Sequence, residues 1–242
     1  MDEVGVRFPV GPPKMNLPKH IAIIPDGNRR WARKKKLPEF FGHREGAKTA
    51  EKILKEALNE GVVCITFWGL SLDNAKKRSL NELRFLFEIF ENQFEKLLTD
   101  KIIFEKEIKI DFLGRWREIF PEKLKHLMEG VITKTKHHKK HNLTFLMAYN
   151  GFDEMTEAIK KISIGKDINS EVVKKNLWSH DLPPVDLVIR TGGEPHWSNG
   201  FMMWDAGDAQ LYFTKTLWPD FAGKEFKEAL KIFSESSRRF GE

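Results

Sequence analysis

A central, mainly parallel β-sheet with helices on both faces is the α/β architecture this sequence predicts. Three observations carry the prediction. Short apolar runs rich in β-branched residues alternate with amphipathic helical stretches along the chain. Cap and breaker residues fall between them, at Gly61, Ser79 and Pro121. No repeat, low-complexity linker or break in composition divides the chain. Alternation of this kind implies parallel strands joined by crossover helices. It predicts one domain over 15–242. Residues 1–14, MDEVGVRFPVGPPK, show neither period, carry Gly11 and prolines, and read as an unstructured arm. Met15, just before the ordered pattern, is the expected true start.

The elements follow in order. Ile21–Pro25 is a short strand. Ala47, Ala50, Ile53, Leu54, Ala57 and Leu58 have helical spacing over Arg44–Glu60, with Gly61 placed to cap the end. Val62–Leu70 is β-branched and aromatic, hence a strand. Ser79-Leu-Asn-Glu82 has the form of a capping box opening a helix to about Leu98. Ile108–Leu113 is a strand, a helix with Pro121 near its first turn follows, and Leu143–Tyr149 is another strand. Helices are expected over Asp153–Ile162 and Ser170–Trp178, a buried strand over Asp186–Ile189, and a final helix over Phe226–Arg239.

Composition narrows the class. The chain has 242 residues, enough for one sizeable core, and its 40% hydrophobic content excludes a disordered chain. No apolar run approaches the ~20 residues of a membrane span. One cysteine, Cys64, and no visible secretory leader make the cytoplasm the expected compartment. The 41 Lys and Arg against 35 Asp and Glu leave a net charge of +6. That excess suits nucleic acid, anionic lipid or phosphorylated small molecules alike.

Sites in such sheets form beyond the C-terminal ends of strands. Three segments stand there. In the first, His20-Ile-Ala-Ile-Ile-Pro-Asp26-Gly27-Asn28-Arg29-Arg30-Trp31, a strand delivers Asp26, Gly27-Asn28 turns, and a basic helix starts. Free amides at a helix start, with Arg29 and Arg30, favour phosphate. Asp26 would repel it unless it holds Mg²⁺, which bridges carboxylate and phosphate oxygens. The plainer alternative is a turn before a solvated basic helix. In the second, Ser71, Leu72, Asp73, Asn74 and Lys77 follow a strand; hydroxyl and amide donors there can meet a ligand, or form an ordinary polar loop. In the third, Arg190 precedes Gly192-Gly193, Glu194, His196, Trp197 and Ser198. A double glycine lets backbone approach a ligand closely, and also makes a simple turn.

HIAIIPDGNRRWA, followed by Phe41-Gly42-His43-Arg44-Glu45-Gly46, resembles the signature of the cis-prenyltransferases, the isoprenyl transferase family. The similarity runs from about Pro18 to Gly241 and includes Leu211-Tyr212-Phe213 and Leu217-Trp218-Pro219-Asp220. It implies that family's fold, Mg²⁺ as cofactor, isopentenyl diphosphate and an allylic diphosphate such as farnesyl diphosphate as substrates, and a homodimer. It also implies peripheral contact with the inner face of a membrane for release of lipid product, and no nucleic acid. By the same resemblance Asp26 and Asn74 are catalytic. Gly27, Asn28, Arg29, Arg30, Trp31, His43, Ser71, Leu72, Asp73, Lys77, Arg190, His196, Trp197 and Ser198 bind substrate. The chain departs from the pattern at Glu39 and His196, where the family has arginines, at Ala75 and Lys77, where it has an aromatic and an arginine, and at Gln210, where it has a metal-holding Glu that reaches the partner's site. These departures keep two alternatives open: a non-catalytic or weakly active subunit of a heteromer, or a prenyltransferase making a short or non-head-to-tail product.

Two further signals are weighed. His137 and His141 lie four apart on a predicted helix, within a lysine-rich run that reads as a solvated helix end rather than a zinc site. Leu83, Phe85, Leu86, Phe87, Ile89, Phe90, Phe94 and Leu97 share a helix as a core stripe, which in the family walls a tunnel for the growing chain; Phe145 and Met147 would narrow it.

Overall fold

A computed structural model describes residues 16–162 and 167–236. The N-terminal arm 1–14 and the end of the expected final helix at Arg239 lie outside the described residues. Six strands form one sheet in the order β3-β4-β2-β1-β5-β6, with every neighbouring pair parallel. They are β1 (His20–Ile24), β2 (Cys64–Ser71), β3 (Ile108–Leu113), β4 (His141–Tyr149), β5 (Leu187–Arg190) and β6 (Gln210–Phe213). The expected mainly parallel sheet is thus wholly parallel among the described residues. Strand β1 is central and has β2 on one side and β5 on the other. The direction of winding reverses there, which is where open α/β sheets leave a crevice at their strand ends.

Alternate residues of the strands feed two cores. Ile21, Ile23, Ile65, Phe67, Leu143 and Ile189 point to one face. There they meet α2 (Glu39–Glu60), α4 (Leu80–Leu97), α5 (Lys101–Glu105), α7 (Glu122–Thr135) and α10 (Gly223–Glu235). Ala22, Ile24, Trp68, Leu146 and Val188 point to the other, under Tyr149, Phe201 and Met202 and beside Trp178. On that side α8 (Gly151–Lys161) and α9 (Ser170–Asn176) lead into the 177–206 segment. Both faces of a parallel sheet are covered, as the continuous apolar runs require. His20 is fully buried in the second face and satisfied, with Nδ1 2.8 Å from Pro183 O and Nε2 2.8 Å from Thr66 Oγ1.

Several boundaries differ from the sequence reading for local reasons. Helix α2 begins at Glu39, directly after Pro38, and ends at Gly61 in the left-handed conformation (φ 87°). The Ser79 hydroxyl accepts from Glu82 N at 3.3 Å, but Glu82 pairs with Arg78 rather than closing the reciprocal half of the box. The helix expected around Pro121 is two, α6 (Trp116–Ile119) and α7, with Pro121 as the N-cap of the second. The helix expected to carry His137 stops at Thr135, and His141 already opens β4. His138 and His141 instead meet the carbonyls of Ile108 and Val62. No metal-binding group of three or more His, Cys, Asp or Glu occurs among the described residues.

Candidate active site

Strands β1 and β5 end side by side, pairing Ile24 with Arg190. The next residue but one after β1 is Asp26, and its backbone is fixed from three directions. Its N–H donates to Ile24 O, while its carbonyl accepts from Trp218 N at 3.0 Å and Thr191 Oγ1 at 2.7 Å. The carboxylate is then clasped by two arginines, Arg30 Nη2 at 3.0 Å and Arg190 Nη2 at 3.1 Å. Gly27 (φ 113°) turns the chain into α1 (Asn28–Lys34), and a Cβ there would strike Leu217. Helix α1 lies against α2 where Gly42 and Gly46 leave room for Asn28.

Arg190 is 4% exposed. Its Nη1 donates to Ser198 Oγ at 2.7 Å and His196 O at 2.9 Å, folding the third segment back over the strand end. Ser198 Oγ lies 2.8 Å from His196 Nε2. Arg30 donates to Gly192 O and pairs with Glu194 at 3.2 Å. Gly192 adopts φ 95°, and a Cβ there would lie 2.6 Å from Arg30 Nη2. On the β2 side Ser71 caps α3 (Leu72–Lys77), its hydroxyl accepting from Asn74 N at 3.1 Å. What read as a polar loop is therefore a short capped helix.

These groups face a polar cavity of about 590 Å³. Asp26, Gly27, Asn28, Arg29, Arg30, His43, Ser71, Asp73, Asn74, Lys77, Arg190 and Ser198 all line it. Four other sequence candidates do not. Trp31 donates to Asp220 at 2.7 Å, Leu72 is buried in the first core, and Trp197 packs against Phe201. His196 touches the site through Ser198 and Arg190. Gln210 pairs with Leu187 at the opposite end of β5 from Arg190, so within one chain it is remote from Asp26. Sequence reading gave no role here to Arg33, Gly69 or Asn199, which also line the cavity.

His43 sits between this cavity and an apolar one. Its Nε2 is buried without a partner. Burial, with Arg78 and Arg29 nearby, pushes its pKa down to about 3. It is neutral at physiological pH and can offer a single hydrogen bond to an anion. A folded pKa below the ordinary value of 6.5 means that the unfolded chain takes up the proton first. His43 therefore supports stability fully above pH 6.5, and that support is lost as pH falls from 6.5 toward 3. Wild-type melting temperature should accordingly drop more steeply between pH 7 and 4 than that of His43→Gln. Parallel curves for the two would refute the neutral, buried state.

The apolar cavity, about 160 Å³, runs between α2 and α4 over the sheet. It shares Pro25, Asn28, His43, Trp68 and Gly69 with the polar one. Leu54, Leu86, Phe90 and Phe94 form its helical walls, and Phe67, Phe145 and Met147 its floor. Phe145 stands in a ring cluster, 5.3 Å from Phe94 and 5.5 Å from Phe112.

Of the carboxylates lining the cavity, Asp26, Asp73 and Glu194, Asp26 is the one at the end of central strand β1, and as a carboxylate it fits Mg²⁺, a cation commonly held by one or two carboxylates together with substrate phosphates. An arginine-rich polar pocket at the strand ends of a parallel sheet, opening into an apolar cleft, gives the class: an α/β site suited to an anion that carries a hydrocarbon. Comparison with known proteins agrees. The model of the undecaprenyl diphosphate synthase family of prenyltransferases matches residues 24–241, and the chain belongs to that family. It is 36% identical over 233 residues to a tritrans,polycis-undecaprenyl-diphosphate synthase (geranylgeranyl-diphosphate specific) of Pyrococcus furiosus, covering 93% of this chain and 87% of the relative. It is 36% identical to an isoprenyl transferase of Staphylococcus haemolyticus, covering 93% and 90%. Its fold matches a crystal structure of lavandulyl diphosphate synthase from Lavandula x intermedia in complex with dimethylallyl diphosphate, with TM-score 0.85, 29% identity and coverage of 93% of this chain and 99% of the other.

Proposed function

We propose that the protein is a cis-prenyl chain-elongating transferase, condensing isopentenyl diphosphate with an allylic diphosphate such as farnesyl diphosphate. The observation that carries this reading is the continuity of the two cavities at His43. A diphosphate held among Arg29, Arg30 and the amides of Gly27–Arg29 places its hydrocarbon tail between α2 and α4. Arg190 and Ser198 hold isopentenyl diphosphate on the β5 side, with His196 supporting Ser198. As allylic carbon–oxygen cleavage proceeds, negative charge grows on the leaving diphosphate, and fixed arginines and amides stabilise it without reorganising. Asp26 would hold Mg²⁺, which when bound supplies further neutralisation of phosphate oxygens. The C2 proton of isopentenyl diphosphate must leave after attack; Asn74 and Ser71, held together by the α3 cap, are the groups placed to orient the acceptor.

No described helix is long and apolar enough to cross a membrane. Family membership supports a homodimer in which Gln210 faces the partner's site, and a polyprenyl product supports contact with a membrane surface at release. Purified protein with Mg²⁺, farnesyl diphosphate and labelled isopentenyl diphosphate tests the activity, and mass analysis gives the product. No product despite retained diphosphate binding would favour a non-catalytic subunit. A cavity of ~150 Å³ accommodates a molecule of benzene's size, so ~160 Å³ is short of a long polyprenyl chain. Phe145→Ala removes a ring from its floor and should shift the product distribution upward by at least one five-carbon unit. An unchanged product ladder would remove Phe145 as the stop.

A further inference from the structure

The family's pattern puts arginines at two positions where this chain has Glu39 and Lys77, and the structure shows what each does instead. Glu39 accepts from Arg33 Nε at 2.8 Å and lies 3.9 Å from Arg29. It does not line the polar cavity but an adjoining groove with Phe40, Glu82 and Phe85. Lys77, the last residue of α3, has a side chain 78% exposed and sits 3.8 Å from Asp73.

The residue after it is placed differently. Arg78 ends α3 in an extended conformation, its N–H still donating to Asn74 O at 3.1 Å. Its side chain is only 13% exposed and lines the polar cavity together with Arg29 and His43. Its ion-pair partner among the described residues is Glu82, 3.1 Å from Nε, in the first turn of α4. Among other cations of the cavity, Arg30 is engaged with Asp26 and Glu194, Arg190 with Asp26 and Ser198, and Arg33 with Glu39, while Arg29 and Lys77 make single longer contacts, 3.9 Å to Glu39 and 3.8 Å to Asp73. Burial and Arg29 both work against the charge on Arg78 and pull its pKa down, yet a guanidinium stays protonated at neutral pH. Beside it, His43 Nε2 is buried and unpartnered. An anion between them would relieve the crowded positive charge and satisfy the imidazole.

We propose that Arg78, held in place by Glu82, supplies the guanidinium that grips the allylic diphosphate on the β2 side of the cavity, where positions 39 and 77 carry no arginine. The inference rests on reading the cavity as a diphosphate site. Arg78 lies on the side of Arg29 and His43, away from Arg190 and Ser198, which assigns it to the allylic rather than the isopentenyl diphosphate. A guanidinium fork can bind two phosphate oxygens at once, and Arg78 Nε, 3.1 Å from Glu82 Oε1, is buried with no hydrogen-bond partner, as is that oxygen.

Calorimetric titration with inorganic pyrophosphate separates the two levels of the argument. Wild-type protein that binds no pyrophosphate would overturn the site reading itself. Wild-type binding with affinity in Arg78→Gln weakened by about tenfold or more, and the exposed Lys76→Gln, off the cavity wall, within about twofold of wild type, is the expected result. Equal affinities in wild type and Arg78→Gln, or an equal loss in Lys76→Gln and Arg78→Gln, would overturn the inference. Steady-state kinetics should show KM for the allylic diphosphate raised by about tenfold or more in Arg78→Gln, with KM for isopentenyl diphosphate unchanged. A rise in the isopentenyl KM alone would reassign the residue to the other diphosphate and refute the proposal. Arg78→Lys retains the charge and most of the stem; with a wild-type-like melting curve it should recover part of the affinity, distinguishing ligand contact from packing.

Discussion

Asp26→Ala should lower turnover by about 10²–10³-fold while the protein stays folded. The reason is a division of labour between backbone and side chain. The backbone of Asp26 ties β1 to Thr191 and Trp218, and alanine keeps those bonds. The carboxylate, about a third exposed to the cavity, is held by Arg30 and Arg190 and is the group available to a divalent cation. Its removal leaves Arg190, nearly buried, without its anion, so a modest fall in melting temperature should accompany the loss of activity. Pyrophosphate added to the variant should restore part of that fall by supplying negative charge. Asp26→Asn, which keeps shape and removes charge, should be nearly as inactive. Steady-state turnover alongside circular-dichroism melting checks all three. Wild-type turnover in either variant would exclude the assigned role.

Gly42→Ala is the second large effect, and it acts through packing. A Cβ at Gly42 would sit 2.0 Å from the carbonyl oxygen of Asn28 and 2.7 Å from its carbon. The obstructing atoms are backbone, so relief requires α1 to move off α2. That displaces the Gly27–Arg29 amides and Arg30 together. A loss of about 1–3 kcal/mol in stability is expected, at or above the usual cost of overpacking, with activity falling further than stability because the site shifts as a unit. Gly130→Ala serves as the contrast. It lies within α7, where the nearest atom, Leu98 Cδ2, is 4.0 Å away. Better helix propensity should make that change neutral or stabilising by up to ~1 kcal/mol. Urea midpoints for the two variants measure the difference directly; a tolerated Gly42→Ala would mean that the helices are not in contact as described.

The parts of the fold legible in the sequence were those whose pattern and burial agree. Ile108–Leu113 was read with its observed boundaries because alternate residues are fully buried. Gly61 and Ser79 marked helix ends because a left-handed cap and a hydroxyl cap are local chemistry. Strand β6 was missed for the opposite reason. It is four residues long at the sheet edge, with Leu211 and Phe213 directed outward and more than a third exposed, so its pattern does not mark a buried strand. Leu72–Lys77 also looked like a loop; Ser71's cap and contact with the sheet make it a helix. The lysine–histidine run before β4 was placed on a helix that in fact ends at Thr135.

For the site, residue types along the chain pointed to a chemistry: a carboxylate at a strand end, a glycine turn, a run of arginines, and an arginine before a double glycine. Within each segment those residues are adjacent or nearly so, and their chemical types suit an anion and a bridging cation. Tertiary structure alone decided which of them meet. Asp26 and Arg190, 164 positions apart, touch because β1 and β5 are parallel neighbours at the point where the winding reverses. The same packing left Trp31, Leu72 and Trp197 off the cavity wall and Arg78 half-buried on it, with most of the Lys77 side chain exposed. Consecutive residues at the end of a short helix diverge according to where the chain turns next. That turn is set by the seating of α4 against its neighbours, which sequence spacing does not encode.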